Sequence, residues 1–160
     1  MRDGEVRAWI GLGTNMGDLV ANLADAVRRI EGLPGVRLHA RSSLYRTEPW
    51  GVTDQPAFLN AVVAVTTRLE PVALLRGMLG IERDMGRRRD GPRWGPRLID
   101  LDLLLFGDRE EHGAHLQLPH PRLHERRFVL EPLAELAPDL AVPGRGMVSE
   151  LLRQLDEPTP

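Results

Sequence analysis

The sequence predicts an α+β domain: a βαββαβ core with an antiparallel sheet, helices packed on it and a C-terminal extension. Three observations predict this. Two stretches with helical spacing of apolar residues each fall between apolar, β-rich runs. Gly- and Pro-rich segments punctuate the borders. At 160 residues, with no internal repeat and no linker-like segment, the chain reads as one domain over residues 1–160.

The elements follow in order. Val6–Leu12 (VRAWIGL) is a first strand. Asp18 can cap a helix reaching about Glu31, with Leu19, Leu23, Ala26, Val27 and Ile30 in helical spacing and Leu33-Pro34-Gly35 to end it. Val36–Arg46 reads as a second strand and the turn-rich TEPWGVTDQP after it as a loop. Phe58–Thr67 is a third strand, nearly continuous in apolar residues. Pro71 suits the first turn of a helix ending near Met85. A Gly/Pro/Arg loop then leads to a fourth, strongly apolar strand, Leu98–Phe106. This order is the ferredoxin-like, split βαβ arrangement, with helices expected on one face of the sheet. Beyond Gly107 the pattern is looser, with helical spacing over Arg126–Leu136 and Val148–Leu155.

Composition narrows the function. No apolar run approaches the ~20 residues that span a bilayer, and the opening MRDGEVRAWIGLG has no long apolar signal core, so a cytoplasmic protein is expected. The chain has no Cys, which excludes disulfides and thiolate metal sites. Its net charge of -2 argues against a general polyanion binder. Every basic side chain is Arg, with no Lys anywhere. A coding bias toward GC-rich codons accounts for that, yet it has a chemical consequence: a Walker-type loop needs its lysine, so phosphate here must be met by Arg, backbone N–H groups or metal.

Asp100 and Asp102 stand in the apolar run LIDLDLLLF. Alternate strand residues share a face, which sets their Cα atoms roughly 6.6 Å apart. Two carboxylates at that range repel by about 2–3 kcal/mol at an effective dielectric near ~20, and each loses hydration among apolar neighbours. Exposure on a sheet face, Arg partners or a divalent cation would each relieve this. Mg²⁺ suits such a pair, since it takes one or two carboxylates and fills its octahedron with water and phosphate oxygens.

Six Arg and two Asp fall between Arg83 and Arg97. A solvated basic loop or an RNA patch with Trp94 as stacking platform are the plain readings. The loop nevertheless leads directly into the Asp pair, its glycines permit movement, and Arg forks clamp phosphate oxygens. Phosphoryl transfer requires that combination of charge neutralisation and positioning. A metal-dependent enzyme acting on nucleotide phosphates is therefore the leading chemical reading of Gly86–Phe106. The run Gly11-Leu12-Gly13-Thr14-Asn15-Met16-Gly17 is one residue too long for a dinucleotide fingerprint and reads as a strand-to-helix turn that needs glycine freedom. Trp50 in a turn-rich loop suggests stacking on a planar ligand, and Asn60 could read a heterocycle edge; core packing for Phe58 and a local turn bond for Asn60 are the alternatives. His120, stiffened between two prolines, is expected to face the phosphates.

These segments together resemble the 6-hydroxymethyl-7,8-dihydropterin pyrophosphokinase family of folate biosynthesis. The resemblance rests on GLGTNMGD, SSLYRTEPWG, DQPAFLNAV, GRRRDGPRWGPRLIDLDLLLFGD and LPHPRLHERRFVLEPLAELAPDL, from Gly11 to about Leu140. The fourth is the most specific; the first alone would be weak. The resemblance implies a transferase that moves pyrophosphate from ATP to the pterin hydroxymethyl oxygen and releases AMP. It implies two Mg²⁺ ions on Asp100 and Asp102 and catalytic roles for Arg87 and Arg97. It places Glu82, Arg89, Trp94, Leu103, His120 and Arg126 around ATP. Thr47, Glu48, Trp50, Phe58, Asn60, Trp94 and Phe128 fall around the pterin, which would stack between Phe58 and Phe128. Phe58 stands where a tyrosine can occur, Leu79 where a polar residue can, and Pro92 and Pro121 are further departures. Small-molecule substrates, no nucleic acid and no membrane are expected as partners, with a monomer or a weak homodimer as the working state. An RNA-binding module of the same fold would need aromatics on its sheet face, and the strands are almost free of them.

Overall fold

In the computed structural model, which describes residues 1–48, 56–86 and 98–156, the strands are arranged by what their side chains must bury. They are β1 (Val6–Thr14), β2 (Val36–Arg41), β3 (Tyr45–Thr47), β4 (Phe58–Thr67) and β5 (Asp100–Phe106). The order is β2-β4-β1-β5, with β3 also on β4, and every pairing is antiparallel. The helices α1 (Leu19–Glu31) and α2 (Pro71–Gly86) connect them as the split βαβ order requires.

Local chemistry explains the helix bounds. The Asp18 carboxylate accepts the Ala21 N–H at 3.1 Å, satisfying an otherwise orphaned donor of the first turn. Arg28 and Arg29 in the last turn of α1 complement the helix dipole. In α2, Leu74, Met78, Ile81 and Met85 recur on one buried face.

Two findings alter the expected picture. The helices do not cover one face only. Ala8, Ile10, Val63, Val65, Leu101 and Leu103 join the core under α1 and α2. On the opposite face Trp9, Val62, Ala64, Leu104 and Leu105 are buried under α3 (Arg127–Leu136) and α4 (Val148–Asp156). The C-terminal extension is thus a second layer. Burial on both faces is why β4 and β5 read as continuous apolar runs rather than alternating ones. The expected second strand, Val36–Arg46, is also broken. Ser42 takes Val62 with its backbone N–H (2.8 Å) and, through Oγ, accepts the Val62 N–H (2.9 Å). Residues 42–44 consequently span two residues of β4, a bulge that separates β2 from β3.

The remaining pairs are short: β6 (Glu111–His112) with β7 (Gln117–Leu118), and β8 (Ala141–Val142) with β9 (Gly146–Met147). A second bulge bears on the site. Trp9 pairs with Leu105 and Ile10 with Leu103, so Leu104 is the extra residue on β5. Its carbonyl accepts the His120 N–H at 2.9 Å, which pins the segment after β7 against the sheet. Among the described residues no helix is long and apolar enough to cross a membrane.

Candidate active site

Antiparallel register places the chemistry. Tyr45, Asn60, Gly13 and Asp100 lie abreast on β3, β4, β1 and β5, and Val62, Gly11 and Asp102 form the next row. Directly paired residues share a face, so Asn60, Gly11, Gly13, Asp100 and Asp102 all present to the α3 side, at the end of the sheet that α3 leaves open. At ~4.8 Å per strand, Asn60 and Asp100 have Cα atoms about 10 Å apart with a glycine between them. The cavity over this glycine floor measures about 930 Å³.

Thr47, Glu48, Phe58, Asn60, Glu82, Asp100, Asp102, Leu103, His120, Arg126 and Phe128 all line that cavity. The structure therefore gathers these sequence candidates around one space. Trp50, Arg87, Arg89, Trp94 and Arg97 lie outside the described residues.

On the β4 side, Asn60 is 4% exposed. Its Nδ2 donates to the Thr47 hydroxyl at 2.9 Å, which fixes the amide's orientation. That places Asn60 in mid-strand, not in a turn. Phe58 and Phe128, the expected stacking pair, stand on β4 and at the start of α3. The Arg126 guanidinium lies 5.6 Å from the Phe128 ring centroid, within cation–π range.

On the β5 side, Asp100 is exposed and Asp102 half-exposed, at the sheet edge. Asp102 has His120 Nε2 at 3.8 Å from Oδ1 and Arg126 Nη1 at 3.8 Å from Oδ2, both beyond hydrogen-bond length. Its oxygens thus lie beside the Arg126 cation and the His120 ring without being consumed by either. Among the described residues no group of three or more His, Asp or Glu converges as a metal cage. Two hard carboxylate donors, as the described residues supply, are a donor set that fits Mg²⁺ sharing its shell with water and phosphate, and not a closed structural site.

His120 is pushed below its ordinary value by burial and then by Arg126 and Arg122, against an opposing pull from Asp102. The net effect favours the neutral ring. Nδ1 accepts the Arg122 N–H at 3.2 Å, so the proton of the neutral ring sits on Nε2, which faces Asp102.

Three features were not read from the sequence. Gly11 and Gly13 belong to β1, and only Gly17 in that motif has a positive φ, of 77°. Glycine freedom therefore explains Gly17, whereas Gly11 and Gly13 are matters of space. A Cβ on Gly13 would stand 2.9 Å from Asn60 Oδ1, and one on Gly11 3.4 Å from Leu104. Their spacing of two in a strand was the available signal. Glu82 is 7% exposed, and its Oε2 accepts the Leu101 N–H at 2.8 Å. Its place at the cavity was expected by resemblance; its brace on the peptide between the two aspartates was not. The third is the wall from Ala114 to Gln117, where irregular sequence gave no signal.

Comparison with known proteins bears on this geometry. The family model described as 7,8-dihydro-6-hydroxymethylpterin-pyrophosphokinase matches residues 9–138. A 2-amino-4-hydroxy-6-hydroxymethyldihydropteridine pyrophosphokinase of Methylorubrum extorquens is 51% identical over 150 residues, covering 94% of each chain. The Pseudomonas aeruginosa protein of the same name is 44% identical, covering 91% of this chain and 90% of its own. A Plasmodium falciparum HPPK-DHPS structure superposes with a TM-score of 0.74 at 15% identity over 94% of this chain and 43% of that one. That likeness speaks for the fold, and the chain spans less than half of that protein's length. Taken with the family match across most of its length and the identity to full-length relatives, the chain belongs to the 7,8-dihydro-6-hydroxymethylpterin-pyrophosphokinase family.

Proposed function

We infer that the chain transfers the terminal pyrophosphate of ATP to the hydroxymethyl oxygen of 6-hydroxymethyl-7,8-dihydropterin, giving AMP and the pterin diphosphate in folate biosynthesis. One observation carries this reading beyond family membership. Asn60, with the donors and acceptor of an amide, and the Asp100–Asp102 pair share a face two strands apart across Gly13. A bisubstrate enzyme needs that division: a heterocycle reader and a phosphate-metal site over one floor, close enough for the two substrates to meet.

In this reading Asn60, Thr47 and Glu48 read the pterin, while Phe58 and Phe128 hold its ring faces. Trp50 and Trp94 are assigned to the same pocket. Glu82, Leu103, Arg89, His120 and Arg126 surround ATP, with His120 Nε2–H and the Arg126 guanidinium offered to phosphate oxygens. Asp100 and Asp102 would hold Mg²⁺, two ions by resemblance, which supplies charge neutralisation of the triphosphate when bound. Arg87 and Arg97 bind the phosphates and stabilise charge developing on them. The hydroxymethyl oxygen forms a bond to Pβ as the Pβ–O bond to the α-phosphate breaks. AMP leaves, and the hydroxyl proton is lost.

Incubation of the protein with Mg²⁺, ATP and the hydroxymethyl pterin tests the reading directly. AMP and a pterin diphosphate are expected in equal amounts. ADP in place of AMP would mean transfer of a single phosphoryl group, and no nucleotide product would remove the enzymatic reading.

A further inference from the structure

The pterin side of the cavity is built from two parts carried by separate elements. One wall, Thr47, Glu48, Phe58 and Asn60, belongs to β3, its end and β4. The other, Phe128, stands at the start of α3. α3 rests on the sheet through Val129, Leu130 and Leu133. Such contacts are strong but non-directional and leave the sliding position of a helix weakly defined.

Directional bonds between the two parts come from Glu135, near the end of α3 away from Phe128. The Ser43 N–H donates to both its carboxylate oxygens at 3.0 Å, and the Ser43 hydroxyl donates to Oε2 at 3.0 Å. The Tyr45 hydroxyl donates to Oε1 at 2.6 Å. Ser43 lies in the bulge before β3, and Tyr45 is the first residue of that strand. Thr47 follows two residues on, on the same face, and bonds Asn60. None of Ser43, Tyr45 and Glu135 lines the cavity.

We propose that Glu135 is a positioning residue for the pterin: it ties β3 to α3 and so fixes the separation of the Thr47–Glu48 wall from Phe128. The proposal rests on the pterin placement given above. A carboxylate suits the task because it is acceptor-only and can meet several donors at once. Charge-assisted bonds from the phenol and Ser43 hold the Glu135 carboxyl below the ordinary carboxylate range. On the ATP side, Glu82, Leu103 and His120 stand on α2, β5 and the segment before α3, and Arg126 caps the end of α3 away from Glu135, so none of them takes part in these bonds.

Equilibrium binding separates positioning from general support. Two ligands are measured: a non-hydrolysable ATP analogue alone, and the hydroxymethyl pterin with that analogue present. The proteins are wild type, Glu135→Ala, Tyr45→Phe and Asn60→Ala. Glu135→Ala is expected to weaken pterin binding about tenfold while the analogue's affinity stays within about twofold. Tyr45→Phe, which removes a single bond and keeps the carboxylate, moves pterin binding the same way by less and carries the test if Glu135→Ala folds poorly. Unchanged pterin affinity in Glu135→Ala, or a parallel loss for both ligands, overturns the proposal. Asn60→Ala distinguishes the two levels. If it weakens pterin binding and Glu135→Ala does not, only the positioning role fails; if it too has no effect, the pterin placement fails and the proposal with it.

Discussion

The two faces of one sheet are put to different uses. Under α1 and α2 the face is apolar nearly throughout, from Val65 and Ala8 to Leu12 and Leu101. Under α3 and α4 the same strands are apolar only halfway, at Trp9, Val62, Ala64, Leu104 and Leu105. Beyond that line the residues become Asn60, Gly11, Gly13, Asp100 and Asp102. Strand parity lets β5 anchor the core with Leu101 and Leu103 and offer carboxylates with Asp100 and Asp102 in the same seven residues. Rigid footing for a charged site thus comes from the opposite side of the very peptides that carry the charges.

The comparison breaks most visibly at Asp102. Asp102→Ala is expected to lower turnover on the order of 10³-fold or more, as loss of charge stabilisation at a phosphate site does. Its effect on thermal stability should be small, because the side chain is half-exposed and both His120 and Arg126 stand 3.8 Å off. Steady-state assay paired with a melting curve checks this. Near-normal turnover would sink the assignment of Asp102 to the metal.

A sharper probe is the glycine floor. Gly13→Ala needs no unusual backbone, since Gly13 is not among the positive-φ glycines, but its methyl would meet Asn60 Oδ1 at 2.9 Å. Asn60 must then shift and strain its bond to Thr47. Pterin binding is expected to weaken about tenfold, equivalent to about 1.4 kcal/mol, with binding of the ATP analogue preserved. Gly11→Ala is the matched control. Its methyl comes no nearer than 3.4 Å to the flexible Leu104 side chain, so its effect on pterin should be smaller. A larger effect from Gly11→Ala would mean that the floor acts by excluding bulk generally and not by protecting Asn60.

The faces also differ in how legible they were. Helical spacing marked α1 and α2 because each has one apolar stripe, and β4 was bounded correctly because a nearly continuous apolar run of that length has few alternatives. The strand break at Ser42–Leu44 was hidden, since its cause is the long-range bond of Ser42 to Val62 and not any turn residue. In the site, Asp100 and Asp102 stood out because charge in an apolar strand calls for an explanation. Gly13 did not, because its role is defined by Asn60 across the sheet. Glu82 had its family place by resemblance, but its bond to Leu101 depends on β5 being an edge strand, a property of strand order that local sequence does not carry.

The smallest expected effect concerns the link between β3 and α3, and the composition isolates it. Tyr45 is pushed up to about 12, first by its hydrogen bond to Glu135, then by burial and the charges of Glu135 and Glu131. The folded state therefore holds the phenolic proton more tightly than the unfolded chain does. Its contribution to stability is complete below the ordinary 10.0 and is lost as pH rises toward about 12. Glu135 has the opposite sign: its contribution is complete above the ordinary 4.5 and is lost as pH falls through its lowered folded value. The alkaline limb is unusually clean. The chain has one Tyr, no Cys and no Lys, so between those two values Tyr45 is the side chain that titrates while Arg stays charged. Phenolate absorbance of the wild type should rise with a midpoint near 12, and that of Glu135→Ala nearer 10.0. The alkaline decline in melting temperature should flatten in Tyr45→Phe. A wild-type midpoint near the ordinary value would mean that the hydroxyl is not held by Glu135 in solution.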